Sequence, residues 1–290
     1  MPWIEVFQQN PVLLTGAAIA LGLIIGSFLN VVILRLPRML EAEWRSDCAE
    51  ITGSPPPQDT QAVTLAKPAS HCPACGHRIR PLENVPILSY LFLRGRCSAC
   101  GVRISPRYPV VEALTAILTL IVVLHFGVSW QTPAALVLTW GLIALAFIDY
   151  DNQLLPDGIT LPLLWVGLIL SLFGLFTDSR SAIIGAAAGY LSLWLVFQLF
   201  RLATGKEGMG FGDFKLFALF GAWLGWQYLP QIILLSAVTG AVLGSLLIAI
   251  GRHDKGKPLP FGPYLAAAGW VSLIWGPQIN DAYLGFSGLG

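Results

Sequence analysis

The stretch ALTAILTLIVVLHFGVSWQTPAALVLTWGLIALAFI, Ala113 to Ile148, runs for 36 residues without an Asp, Glu, Lys or Arg and ends on Asp149. A helix crossing the bilayer needs about 20 apolar residues. This run is too long for one span and suits two, and its middle, Gly127-Val-Ser-Trp-Gln-Thr-Pro133, has the Gly, Pro and interfacial Trp of a chain turning at a membrane surface. Residues 216–251 form a second run of 36, broken at Gly225-Trp-Gln-Tyr-Leu-Pro230. Four single-span runs complete the set: 29 residues over 6–34, 20 over 158–177, 20 over 181–200 and 23 over 258–280. The reading is an all-α polytopic membrane protein of about eight transmembrane helices. Composition agrees: 55% of the 290 residues are hydrophobic, 11% are charged, and the mean hydropathy is +0.69. A soluble domain carries about 25% charged residues. The first ten residues hold Glu5 and no Lys or Arg, so the first apolar segment is expected to be a retained span rather than a cleaved signal.

Charge sets the expected orientation. Threading eight spans with both termini outside places 16 of the 17 Lys and Arg in or beside the inside segments, with Arg180 the exception. The positive-inside rule therefore predicts periplasmic termini, and cytoplasmic segments over 37–108 and near 149–158, 201–215 and 251–258. The lipid bilayer is the expected partner. The net charge of +1 holds no basic excess that would point to nucleic acid, and none is expected. Three regions follow: a first transmembrane helix over 1–36, a loop with a metal subdomain over 37–108, and a seven-helix membrane domain over 109–290. Within the loop, 41–69 reads as an irregular excursion centred on Pro55-Pro-Pro57. Small residues at four-residue spacing, Gly22/Gly26, Gly185/Gly189 and Gly240/Gly244, are expected to pack helix on helix.

The loop carries Cys72-Pro-Ala-Cys75-Gly76 and Cys97-Ser-Ala-Cys100-Gly101. Two C-x2-C-G knuckles supply four thiolates, the ligand set that tetrahedral zinc takes in structural sites. A disulfide or redox pair is the rival reading, and a cytoplasmic loop lies in a reducing compartment that disfavours it. Cys72, Cys75, Cys97 and Cys100 are therefore the expected zinc ligands, with Cys48, His71 and His77 as ordinary loop residues.

Two acids stand out at span ends. Asp149 closes the third span in Ala146-Phe-Ile-Asp149-Tyr-Asp151-Asn-Gln-Leu-Leu-Pro156-Asp157, and Asp213 opens the sixth in Gly208-Met-Gly210-Phe-Gly212-Asp213-Phe-Lys215. An ionisable group at membrane depth is costly and points to function. Two close carboxylates cannot both ionise, so the pair supplies an acid and a base together, which is what metal-free peptide hydrolysis needs. Plainer readings exist for each acid: Asp157 as a helix N-cap, Asp151 as a solvated turn residue, Asp213 as a charge facing a helix dipole. Gly210 and Gly212 are expected to leave room for an extended peptide. Lys215 is expected to favour ionisation of a neighbouring carboxylate. HExxH is absent, and no Ser/His/Asp series stands out.

These motifs together resemble the bacterial type IV prepilin peptidases. The resemblance rests on Gly26-Ser-Phe-Leu-Asn30-Val-Val-Ile-Leu-Arg35-Leu-Pro37, both knuckles, Glu83-Asn84-Val-Pro86, Asp149 to Asp157, Gly208 to Lys215, and Pro260-Phe-Gly-Pro263-Tyr. It implies an aspartyl endopeptidase with Asp149 and Asp213 as the catalytic pair. The implied substrates are type IV prepilins and type II secretion pseudopilins, whose basic leader is cut after a Gly on the cytoplasmic face of the inner membrane. It further implies N-methylation of the new terminus with S-adenosyl methionine. The chain has no G-x-G-x-x-G for such a donor. The loop and Gly26–Pro37 are its expected location, with Glu83 and Asn84 as candidate residues. Two other classes fit parts of the sequence. A transporter would use the acids as a relay, but they lie at one face rather than the midplane. A membrane thiol oxidoreductase would need the cysteines outside.

Overall fold

Ten α-helices are present among the described residues (2–54, 63–206, 208–250 and 259–287) of the computed structural model: α1 Pro2–Gln9, α2 Pro11–Thr52, α3 Leu88–Phe92, α4 Arg107–Phe126, α5 Gln131–Asn152, α6 Asp157–Ser171, α7 Ser179–Thr204, α8 Phe211–Leu224, α9 Leu229–Ala249 and α10 Gly262–Ser287. Eight of them, all but α1 and α3, follow the eight apolar segments. Both expected breaks fall between helices: Gly127 ends α4, and Gly225 (φ 88°) ends α8. α2, α4, α5, α7 and α9 are long and apolar enough to cross a membrane, and α6 is a shorter apolar helix. The expected turn at 251–258 and Pro55-Pro-Pro57 lie outside the described residues.

The first helix does not stop at residue 36. α2 continues through Pro37 to Thr52, so residues 41–52 are helical rather than irregular. Pro37 forfeits one helical hydrogen bond, yet Leu40, Glu41, Ala42, Glu43 and Arg45 favour helix, and Glu41 pairs with Arg45 one turn on. At 1.5 Å per residue, 42 residues extend about 63 Å, roughly twice the thickness of a hydrocarbon core.

The chain divides into two compact units, Met1–Val128 and Ser129–Gly290. In the first, α2 packs on α4 through the expected glycines. A Cβ on Gly22 would stand 2.5 Å from the Ala116 Cα, and one on Gly26 would stand 2.7 Å from the Glu112 Cα. Asn30, buried on α2, donates to the Tyr108 carbonyl at 3.1 Å. Arg35 gathers the carbonyls of Thr64, Leu65 and Pro68.

In the second unit, α8 is the central helix. Asp213, Phe214 and every residue from Leu216 to Leu224 are buried, which suits a helix apolar on all sides. α7 crosses it at backbone contact, since a Cβ on Gly221 would lie 2.1 Å from the Gly185 carbonyl oxygen and one on Gly189 would lie 2.8 Å from the Phe217 carbonyl oxygen. α6 meets it where the Trp223 indole donates to the Leu163 carbonyl at 2.8 Å, over Gly167. Gly240 and Gly244 face the side chains of Tyr264 and Leu259 rather than a backbone. α10 kinks at Trp275 (φ −121°, ψ 15°), two residues before Pro277.

Candidate active site and metal centre

Asp149 sits in the last turn of α5 and Asp213 in the first turn of α8. Both are buried, at 6% and 8% exposure, and close enough to act on each other electrostatically. α5 ends here because Gln153 takes the left-handed conformation (φ 52°) and returns its N–H to the Asp149 carbonyl at 2.8 Å. α8 starts on Gly210, whose carbonyl accepts from the Asp213 N–H at 3.2 Å.

A third element completes the pair. The Gly262 N–H, first in α10, donates to Asp149 Oδ2 at 3.0 Å. A larger residue would crowd the pair: a Cβ on Gly262 would stand 2.6 Å from that same oxygen, so one of them would have to shift. Leu155 packs between the starts of α8 and α10, against Gly212 on one side and Gly262 on the other. The space at Gly212, expected to admit a peptide, is thus filled by Leu155. Gly210 remains open, with Asp213 Oδ2 3.9 Å from its Cβ position. Phe211, Phe214 and Phe197 form an aromatic cluster around the start of α8, with centroids 5.4 to 5.7 Å apart. Gly262 and Leu155 escaped the sequence reading. The motif Pro260-Phe-Gly-Pro263 was visible, but nothing in it says which acid it meets.

Asp157 is not a cap. Pro156 occupies that position, and Asp157, first in α6, takes the Lys215 ammonium at 2.6 and 2.7 Å. Lys215 thus serves Asp157 across the α6/α8 junction. Asp151 is exposed.

The four loop cysteines converge. Their sulfurs lie within 4.8 Å of one another, with Cys72 to Cys100 at 3.8 Å and Cys75 to Cys97 at 4.0 Å. Four sulfurs about 2.3 Å from one zinc stand about 3.8 Å apart on a tetrahedron, so the donor set fits that ion, and all are free thiols. The two knuckles repeat one design. Gly76 and Gly101 (φ 69° and 70°) turn back to the Cys72 and Cys97 carbonyls, while the Cys72 and Cys97 amides bond the His77 and Val102 carbonyls. Backbone amides of the knuckles draw the Cys72 thiol down to about 7 and lower Cys97, while the neighbouring thiols push Cys75 up to about 12.

Glu83 ties the knuckles together. It accepts from the Arg80 N–H at 2.9 Å and the Ser98 hydroxyl at 2.7 Å, and it meets His77 at 3.3 Å. Led by the Arg80 bond, these contacts hold its carboxyl at about 2. Glu83 therefore belongs with the metal subdomain.

Long apolar helices, with two buried acids at helix ends, define the class: a membrane protein. The chain belongs to the type IV leader peptidase family. Residues 136–245 match the model described as "Type IV leader peptidase family", and residues 20–126 match "Bacterial Peptidase A24 N-terminal domain". Relatives named "Prepilin leader peptidase/N-methyltransferase" include one from Pseudomonas aeruginosa, 53% identical over 288 residues (99% of either chain), and one from Stutzerimonas stutzeri, 54% identical over 286 residues (99% of either). Another, from Dichelobacter nodosus, is 49% identical over 273 residues, 90% of this chain and 92% of its own. No solved structure matches.

Proposed function

We propose that this protein is an aspartyl endopeptidase that removes the basic leader from type IV prepilins and type II secretion pseudopilins, cutting after a Gly. Asp149 and Asp213 are its catalytic pair. The observation that carries this is that two buried carboxylates, at the end of α5 and the start of α8, lie within electrostatic reach of each other, with the Gly262 amide fixing one of them. One carboxylate, ionised, takes a proton from the attacking water. The other, protonated, polarises the scissile carbonyl and then helps protonate the leaving amine. The two titrate as a pair, and either can hold the shared proton.

The same protein then N-methylates the new terminus with S-adenosyl methionine as the donor, in keeping with the second half of its relatives' name. Zinc on Cys72, Cys75, Cys97 and Cys100 is structural, because four cysteines leave no open position. The eight helices that follow the apolar segments, α2 and α4 to α10, span the inner membrane, with both termini periplasmic. All the basic residues but Arg180 then lie in or beside the inside segments, and the acid pair opens toward the cytoplasm. A basic leader is retained on that side by the same charge rule, which brings the scissile bond to the membrane edge.

The test is cleavage of a prepilin by membranes carrying wild type, Asp149→Asn or Asp213→Asn, with methylation of a pre-cleaved substrate followed in parallel. Each Asn variant is expected to stop cleavage and spare methyl transfer. Cleavage by both variants would refute the acid-pair mechanism.

A further inference from the structure

Three carboxylates are buried among the described residues: Asp149, Asp213 and Glu112. The first two form the acid pair of the second unit. Glu112, at 8% exposure, lies on α4 in the first unit and has no part in that pair.

Its surroundings are built closely. Glu112 Oε2 accepts the Ile87 N–H at 2.7 Å, and the Ser27 hydroxyl on α2 also reaches the carboxylate. Gly26 brings the α2 backbone against the Glu112 Cα. Ile87 holds φ 58°, ψ −49°, a conformation rare for a β-branched residue. The Leu88 N–H closes a γ-turn around it onto the Pro86 carbonyl. A strained loop residue and a buried carboxylate on an apolar helix are each pointers to function, and here they touch. An uncharged side chain would accept the same two hydrogen bonds at lower desolvation cost, so packing alone does not call for a carboxyl group here. The groups acting on the carboxylate are the Ile87 amide and the Ser27 hydroxyl, both uncharged.

We propose that Glu112 is the catalytic base of methyl transfer. This rests on the reading that the protein methylates the terminus it exposes. That terminus is an α-amine with an ordinary pKa of about 7.7–8.0, so near neutral pH much of it is ammonium without a lone pair. The ammonium proton passes to the Glu112 carboxylate. The freed nitrogen pair forms the new N–C bond to the methyl group of a sulfonium donor, and the C–S bond breaks with its electrons going to sulfur. The products are a thioether and a methylated ammonium, and Glu112 returns its proton to water. The Ile87 amide holds the carboxylate through Oε2 while it takes the proton.

The experiment uses the full chain in phospholipid vesicles, a pre-cleaved pilin peptide with a free α-amine, and radiolabelled S-adenosyl methionine. Glu112→Gln still accepts the Ile87 N–H but takes no proton. Methyl transfer is expected to fall about six- to elevenfold at pH 7, because only about a sixth to an eleventh of the acceptor is neutral there without a base, with prepilin cleavage within about twofold of wild type. Raising the pH to about 9.5 deprotonates the acceptor without help, so the variant should recover to near the wild-type rate. A merely structural role would show no such recovery. Wild-type methylation by Glu112→Gln at pH 7, or an equal deficit at both pH values, would overturn the assignment. A wild-type chain that cleaves but transfers no methyl group would remove the underlying methyltransferase reading instead.

Discussion

Gly262→Ala adds one methyl group at the acid pair. The new Cβ would stand 2.6 Å from Asp149 Oδ2, 3.0 Å from its Cγ and 3.2 Å from Leu155 Cδ2. Ordinary contact begins near 3.4 Å, so the carboxylate or the start of α10 must yield by close to an ångström. Yielding also stretches the 3.0 Å bond from the Gly262 N–H. Misplacing a catalytic group by about 1 Å costs roughly a hundredfold in rate, or about 2.7 kcal/mol of transition-state stabilisation. The crowding itself costs about 1–3 kcal/mol of stability. The assay is prepilin cleavage in vesicles, with kcat and KM separated. The expected result is a kcat lowered about a hundredfold with KM little changed, since the leader and its helix bind elsewhere. Gly158→Ala, at a position with no atom within 4 Å of the added Cβ, should cleave like wild type. A Gly262→Ala enzyme within about threefold of wild type would refute the claim that this amide positions Asp149.

Gly221→Ala should separate α7 from α8, because its Cβ would meet the Gly185 carbonyl oxygen at 2.1 Å. A loss of at least about 1–3 kcal/mol, read by thermal unfolding in detergent, is expected, and an unchanged Tm would contradict the close crossing. Glu83→Gln should speed transfer of zinc from the loaded protein to a chelator by about tenfold or more, and an unchanged rate would count against the knuckle clamp. Acid should act on the same residue. The Glu83 carboxyl is held below its ordinary value of 4.5, at about 2, so its contribution is complete above about 4.5 and lost as the pH falls toward 2. Protease resistance of the metal-free loop should weaken over that window in wild type, and Glu83→Gln should lack that step.

The sequence by itself determined the helices, because a span must be apolar for about 20 residues and can be counted. It marked the four cysteines whose sulfurs converge, because each knuckle brings its two sulfurs together through local turns at Gly76 and Gly101. It also marked Asp149 and Asp213, since a charge is conspicuous against 36 apolar residues. Where the helix propensity of residues 40–45 competed with Pro37 and a polar composition, the end of α2 was misread. Asp157, Lys215 and Glu83 were seen, but their partners were not. Only the tertiary structure decided that Asp149 meets the amide of Gly262, 113 residues away, that Leu155 fills the space at Gly212, and that Glu112 holds the turn at Ile87. A glycine in sequence is only an absence of side chain. Which group comes into the space it leaves depends on how distant helices pack, and helix packing is set by the summed shapes of many side chains rather than by any local pattern.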